Sequence, residues 1–319
     1  MERNWVGRFA APVSRELVHR AAVAEVFITD IERTSGNTFL VWAQWPRLHV
    51  FYGQTPELFD SALVVETLRQ STILIAHSQL GVPLDTQFLM PKMAVSMVPD
   101  RRSCPYHPSE VTIEVIISGV KEAAHGTAAF RTDATFMVTG AVMAKGTAQA
   151  RLIEKNAYLR IRERRKRNGN GLTLPDPVTA ESVGHASTRN VVLGTSAIKW
   201  AWPLRVDDSN PILFDHPLDH VPGVLLIEAT RQALRLRLSD PTLDFTMVDV
   251  LFVSIAELSD DAMVIVEALA EGERTNAKVT IQAHGQVLMK AQASISTKKQ
   301  VFERLAPQEQ EDLRHCLHA

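Results

Sequence analysis

Two short strings hold the residues most able to do chemistry. Glu66-Thr67-Leu68-Arg69-Gln70 returns as Glu228-Ala229-Thr230-Arg231-Gln232, an offset of 162 residues (228 minus 66) in a chain of 319. In each string a carboxylate, a guanidinium and an amide stand three and four residues apart, which is one face of a helix. The surrounding residues are apolar, so these groups are expected to be buried, and burying an ion costs several kcal/mol unless it is paired and hydrogen-bonded. Two readings stay open. Either each Glu and Arg is a structural pair that was duplicated with its repeat, or the carboxylate moves protons and the guanidinium holds an anion.

The second copy carries an addition. Asp215-His216-Pro217-Leu218-Asp219-His220-Val221-Pro222-Gly223 runs directly into the helix that bears Glu228. His216, His220 and Asp219 are candidates for catalysis or substrate binding. The backbone N–H groups of Gly223 and Val224, free at a helix start, can polarise a carbonyl oxygen. The competing reading of the histidines is that they cap or pack a loop. The spacing of His216, Asp219 and His220 fits no zinc signature, and no metal is expected.

The elements that must position these residues repeat as well. At the same offset Val50-Phe51-Tyr52 lies over Ile212-Leu213-Phe214, Glu57 over Asp219, and Leu63-Val64-Val65 over Leu225-Leu226-Ile227. In the first half, strand signals at 21–30 and 38–45 precede a helix from Ser61 to His77. Strands follow at Gln87–Met97, Val111–Val120, Ala128–Thr139 and Val142–Ile153. In the second half the helix runs from Gly223 to Leu238, with strands near Phe245–Ala256, Met263–Ala270, Ala277–Gly285 and Gln286–Ser296. One helix, apolar on nearly every face and followed by strands, predicts an α+β unit with a sheet wrapped around a central helix.

The expected organisation is an N-terminal repeat over 15–157, a linker over 158–184, a C-terminal repeat over 185–298 and a tail over 299–319. The linker contains the basic run Arg160–Arg167 and Asn168-Gly169-Asn170-Gly171. A solvated linker helix and an electrostatic docking patch are both open readings of that run. The glycines follow no strand, so no dinucleotide site and no cofactor are expected.

Composition narrows the class. Hydrophobic residues are 45% and charged residues 22%, with a net charge of −2 and two cysteines, Cys104 and Cys316. This balance argues against a nucleic-acid coat or a membrane protein, and the cysteine count against a disulfide framework. The predicted setting is cytoplasmic, with no nucleic-acid and no membrane partner. Gly194-Thr195-Ser196-Ala197-Ile198 is no nucleophile elbow, and Cys104 reads as incidental, so no covalent nucleophile is expected.

The segment from His216-Pro217 through Pro222-Gly223-Val224-Leu225 to Glu228-Ala229 and Gln232 resembles the active-site segment of the hotdog-fold 3-hydroxyacyl-carrier-protein dehydratases. It differs in the spacing of His216 to Glu228 and in the added Arg231. A fuller resemblance is to the A-factor biosynthesis family, the γ-butyrolactone autoregulator synthases. Its residues are Val18-His19-Arg20, Ala24-Glu25-Val26, the two Glu-x-x-Arg-Gln strings and Asp215-His216-Pro217 through Gly223, spanning about residues 15 to 296.

That resemblance implies a double hotdog, two tandem α+β repeats. It implies transfer of a β-ketoacyl group from an acyl carrier protein or CoA thioester to dihydroxyacetone phosphate, with ring closure and reduction leading to a γ-butyrolactone, butenolide or furan signal. On this reading Glu228 is the base, with His216 or His220 as competitor. Gly223 and Val224 hold the thioester oxygen, and Arg231 binds the phosphate or steadies Glu228. Glu66 and Arg69 complete or mirror the site, and Gln70, Gln232 and Asp219 contact substrate. The rivals are a non-catalytic acyl-thioester-binding regulator and a hotdog dehydratase or thioesterase.

Overall fold

The computed structural model describes residues 7–52, 59–98, 107–123, 126–163, 173–270 and 275–296. They fall in two compact units. One is drawn from Met1–Arg47, Val64–Met93 and Cys104–Lys166, the other from Leu48–Leu63, Ala94–Ser103 and Arg167–Ala319. Among the described residues no helix is long and apolar enough to cross a membrane.

In the first unit the order is β1 (Ile28–Ser35), β2 (Thr38–Trp45), α1 (Ser61–Gln79), β3 (Gln87–Met97), β4 (Ser109–Ala123), β5 (Gly126–Val138), β6 (Ala141–Ile153) and α2 (Lys155–Glu163). The strands line up as β1-β2-β4-β5-β6-β3. From β1 to β6 the neighbouring strands are antiparallel, as in the pairs Ala43↔Val111 and Ile113↔Phe136. Period-two patterning sets which face is covered: Val111, Ile113, Val115 and Ile117 are buried, while Ile116 between them is 46% exposed.

Helix α1 is enclosed, as its all-round apolar surface requires; between Ser61 and His77 only Ala62 and Arg69 are even partly exposed. Its polar residues are tied to the sheet by Trp45 Nε1 donating to Thr67 Oγ1 at 2.9 Å and Thr72 Oγ1 to Thr132 Oγ1 at 3.2 Å. Gly146 on β6 gives the helix room, since a Cβ there would stand 3.0 Å from Leu68 Cδ2.

The second unit repeats the plan with β7 (Ala201–Pro203), α3 (Gly223–Leu238), β8 (Asp244–Phe252), β9 (Ala262–Ala270), β10 (Thr275–Ala283) and β11 (Gln286–Ser296). Strand order is β8-β11-β10-β9-β7, and α3 lies against β8, β9 and β10.

Both helices and the strands following them lie where hydrophobic patterning predicts. The linker does not. Residues 178–184, expected to be linker, pack into the second unit, where Ala180, Val183 and Val191 form a buried cluster flanked by Val178 and Leu236. Apolar residues spaced along an irregular arm have no period from which sequence reasoning could detect their burial. Arg164 to Arg167, Asn168 to Gly171, Glu57, both cysteines and the 299–319 tail lie outside the described residues.

Candidate active site

In both units a helix glutamate is fully buried and gathers a fixed set of donors. In the first unit, Arg20 Nε reaches Glu66 Oε1 at 3.0 Å and Arg20 Nη2 reaches it at 2.7 Å. Arg69 Nε donates to Glu66 Oε2 at 2.9 Å, and Gln70 Nε2 to Oε1 at 2.7 Å. Burial by itself pushes the Glu66 carboxyl up, but Arg20 and Arg69 outweigh it and hold it at about 2.

The second unit rebuilds this cluster with one exchange. Arg231 Nε donates to Glu228 Oε2 at 2.9 Å and Gln232 Nε2 to Oε1 at 2.9 Å. Where Arg20 stood, His185 Nε2 now lies 2.8 Å from Glu228 Oε1. Burial raises the Glu228 carboxyl, yet the Arg231 charge and the His185 hydrogen bond bring it to about 2. Such a carboxylate is ionised at neutral pH and is a feeble proton acceptor. The Glu228 oxygens are engaged by Arg231, Gln232 and His185, all of them donors that favour the ionised form.

The glutamines act as clamps. Gln232 Oε1 accepts from Val192 N at 3.0 Å, and its Nε2 donates to Asn190 O at 2.8 Å. Gln70 does the same for Phe27 N at 3.0 Å and Glu25 O at 2.7 Å. Each holds an irregular arm against the helix, and these arms repeat at an offset of 165 residues (192 minus 27, 190 minus 25). The arm signal is present in the sequence as Val18-His19-Arg20-Ala21 against Val183-Gly184-His185-Ala186. An ungapped search at 162 passes over it, which is how His185 escapes sequence reasoning.

Arg231 is likewise committed. Its Nη1 bonds Asp60 Oδ1 at 2.5 Å and lies 3.4 Å from Asp244 Oδ1, and its Nη2 lies 2.6 Å from Glu228 Oε2. Burial lowers its pKa, but Asp60, Glu228 and Asp244 together drive it well above the ordinary arginine value. The side chain is 2% exposed. Arg231 is thus bonded to Glu228 and enclosed. Arg69 is less closed, at 19% exposure, and bonds Glu66 and Val18 O.

His216 and His220 stand apart from this cluster. His216 Nδ1 pairs with Asp215 at 2.5 Å and His220 Nδ1 with Asp219 at 2.7 Å, both partly exposed, and neither bonds Glu228. Gly223 opens α3 as expected, and Leu225 and Leu226 both donate to Pro222 O. The Phe252 ring holds the space beside it, 3.0 Å from where a Cβ would sit. Among the described residues no group of His, Cys, Asp or Glu is disposed to hold a metal ion.

The arrangement is a buried carboxylate–imidazole pair at a helix enclosed by a sheet. A model for the A-factor biosynthesis hotdog domain matches residues 1–154 and 170–298. The 2-oxo-3-(phosphooxy)propyl 3-oxoalkanoate synthase of Streptomyces virginiae is 37% identical over 273 residues, 85% of this chain and 92% of that one. The synthase of the same name from Streptomyces griseus is 34% identical over 223 residues, 70% and 74% of the two chains. Among solved structures, a 12:0-ACP thioesterase from Umbellularia californica matches with a TM-score of 0.51 over 81% of this chain and 94% of that chain. At 12% identity this likeness concerns the fold alone. The double hotdog expected of the sequence is thus found, and the chain belongs to the A-factor biosynthesis hotdog family.

Proposed function

We infer that the chain is an acyltransferase that joins a 3-oxoalkanoyl group to the free hydroxyl of dihydroxyacetone phosphate, forming 2-oxo-3-(phosphooxy)propyl 3-oxoalkanoate. The observation that carries this reading is the 37% identity along 92% of the Streptomyces virginiae synthase, whose name states that ester. The buried pair of Glu228 and His185 in the second unit supports it, because alcohol attack on an acyl donor needs a positioned proton acceptor.

The donor is an acyl carrier protein or CoA thioester. The basic run beginning at Arg160 and Arg162 on α2 suits an acidic carrier. Reversing the charges of Arg164, Arg165 and Arg167 together should weaken use of the carrier-bound substrate and spare a short thioester analogue. Equal effects on both would remove the docking role.

Mass spectrometry tests the function itself. Purified protein given a 3-oxoacyl thioester and dihydroxyacetone phosphate should release the phosphorylated ester. Free acid alone would make it a thioesterase, an enoyl product a dehydratase, and unchanged substrates a binding protein.

A further inference from the structure

We propose that His185 is the proton acceptor of the acyl transfer, held through Nε2 by Glu228 and meeting the attacking hydroxyl with Nδ1. The proposal rests on the acyltransferase reading above.

Three observations converge on this imidazole. First, its protonation pattern follows from its partner. Glu228 is an ionised carboxylate that only accepts, so the His185 nitrogen 2.8 Å away must be the N–H. In the neutral ring that leaves Nδ1 with a bare lone pair, which points away from Glu228 across the ring.

Second, Nδ1 is a buried nitrogen with no hydrogen-bond partner among the described residues. Buried polar atoms are nearly always bonded, so one without a partner on a side chain fixed at its other end is a place for a ligand group. The ring is held firmly. His185 N donates to Ala180 O at 2.9 Å, and the Phe51 ring packs 5.5 Å from the imidazole. The imidazole is covered in this structure, so entry of a hydroxyl requires side chains of this lining to turn.

Third, the first unit serves as an internal comparison. The same position there is Arg20, which bonds Glu66 in the same way and cannot accept a proton. The glutamate, the clamping glutamine and the arm are common to both units, so the scaffold does not require histidine. Only the second unit pairs its glutamate with a group able to take a proton and return it.

The charges around its partner Glu228 suit that task. Arg231 and Arg235 act on Glu228 from α3, with Asp60 and Asp244 on Arg231. Three carboxylates against two guanidiniums leave this cluster one negative charge, which an imidazolium would neutralise.

The step balances. The hydroxyl oxygen bonds to the thioester carbonyl carbon while its proton passes to Nδ1. The C–S bond then breaks, and the leaving sulfur takes that proton from Nδ1, giving ester and thiol with His185 neutral again.

Three variants test it. His185→Gln keeps an N–H for Glu228 but has no basic nitrogen. It should lower kcat by about 100-fold or more while KM for both substrates stays within about threefold. His185→Arg copies the first unit and should fold yet turn over no faster than His185→Gln. His185→Ala should regain turnover in added imidazole, in proportion to its concentration. Turnover near the wild-type rate by either His185→Gln or His185→Arg, or no recovery with imidazole in a folded His185→Ala, overturns the proposal. The wild-type protein separates the two claims. If it forms no ester the acyltransferase reading falls and takes the proposal with it, whereas an active wild type matched by its variants removes His185 alone.

Discussion

Asp60 and Arg231, 171 residues apart in sequence, are joined by a 2.5 Å hydrogen bond inside the second unit. Asp60 also accepts from Ala62 N at 2.8 Å, so one carboxylate both ties down its own backbone and neutralises the guanidinium bonded to Glu228. Asp244 adds to the same arrangement by accepting from Ser61 N at 3.1 Å. The base of the candidate site is therefore a closed ionic lattice, and its members answer to stability before they answer to substrate.

Replacing Arg231 by Met should accordingly cost folding stability, by about 3–5 kcal/mol, because three carboxylates lose their common counter-charge. Urea denaturation at neutral pH reads this directly. The KM for dihydroxyacetone phosphate in whatever folded fraction survives should stay near the wild-type value; a large selective rise in that KM would restore Arg231 as a phosphate ligand.

Glu228→Gln keeps the shape of the side chain and removes its charge. Turnover should fall by about 100-fold, since the imidazolium formed during transfer loses its stabilising partner. Stability should drop as well, with Arg231 left short of a counter-charge. Because Glu228 acts through His185, the loss should appear in kcat and leave KM nearly unchanged, which steady-state kinetics on the folded variant would show.

Acid should weaken both units over a defined range. Glu66 and Glu228 titrate at about 2 in the folded protein against 4.5 ordinarily, so each contributes stability that is full above about 4.5 and lost as pH falls toward 2. Burial also lowers the His77 pKa below its ordinary 6.5, so its contribution is lost as pH falls from that value. Urea midpoints should slip between pH 7 and 5 and drop steeply between pH 5 and 3, and Glu66→Gln should flatten the lower part of the curve.

Gly184 presents His185 by a left-handed turn. Its φ is +72°, and a Cβ there would stand 2.3 Å from Pro241 O and 2.8 Å from Arg235 Nη1. Gly184→Ala should destabilise the second unit by about 1–3 kcal/mol and displace the imidazole, lowering kcat. The equivalent His19 of the first unit adopts the same turn with φ +51°, so strain alone is tolerated there. It is the close carbonyl and guanidinium that make the difference at 184, and a melting curve with an unshifted midpoint would show that the neighbours yield.

His216 and His220 make a final comparison. Alanine at either position should leave turnover within about tenfold of wild type, because neither ring bonds the glutamate. A loss as deep as that of His185→Gln would return the proton acceptor to this loop.

Local order was legible in the sequence. A helix with apolar residues on every face must be enclosed, and alternating strands must cover one face, so the duplication, both helices and the sheets followed from patterning alone. The burial of Glu66 and Glu228 followed too, because positions three and four apart share a face and those faces are apolar. Which distant groups complete the buried Glu228–Arg231 pair could not be read in this way. Asp60, Asp244 and His185 lie 171, 13 and 46 residues from Arg231; Asp60 and His185 approach from irregular chain and Asp244 from the first position of β8, where no period marks a side chain as inward. The arm that carries His185 also repeats three residues out of step with the helix, so an ungapped comparison aligned the motif and missed its partner. Sequence determined the two glutamates and their enclosure; tertiary structure decided that one faces an arginine and the other a histidine, because a buried charge takes its counter-groups from whatever the fold brings within hydrogen-bond reach.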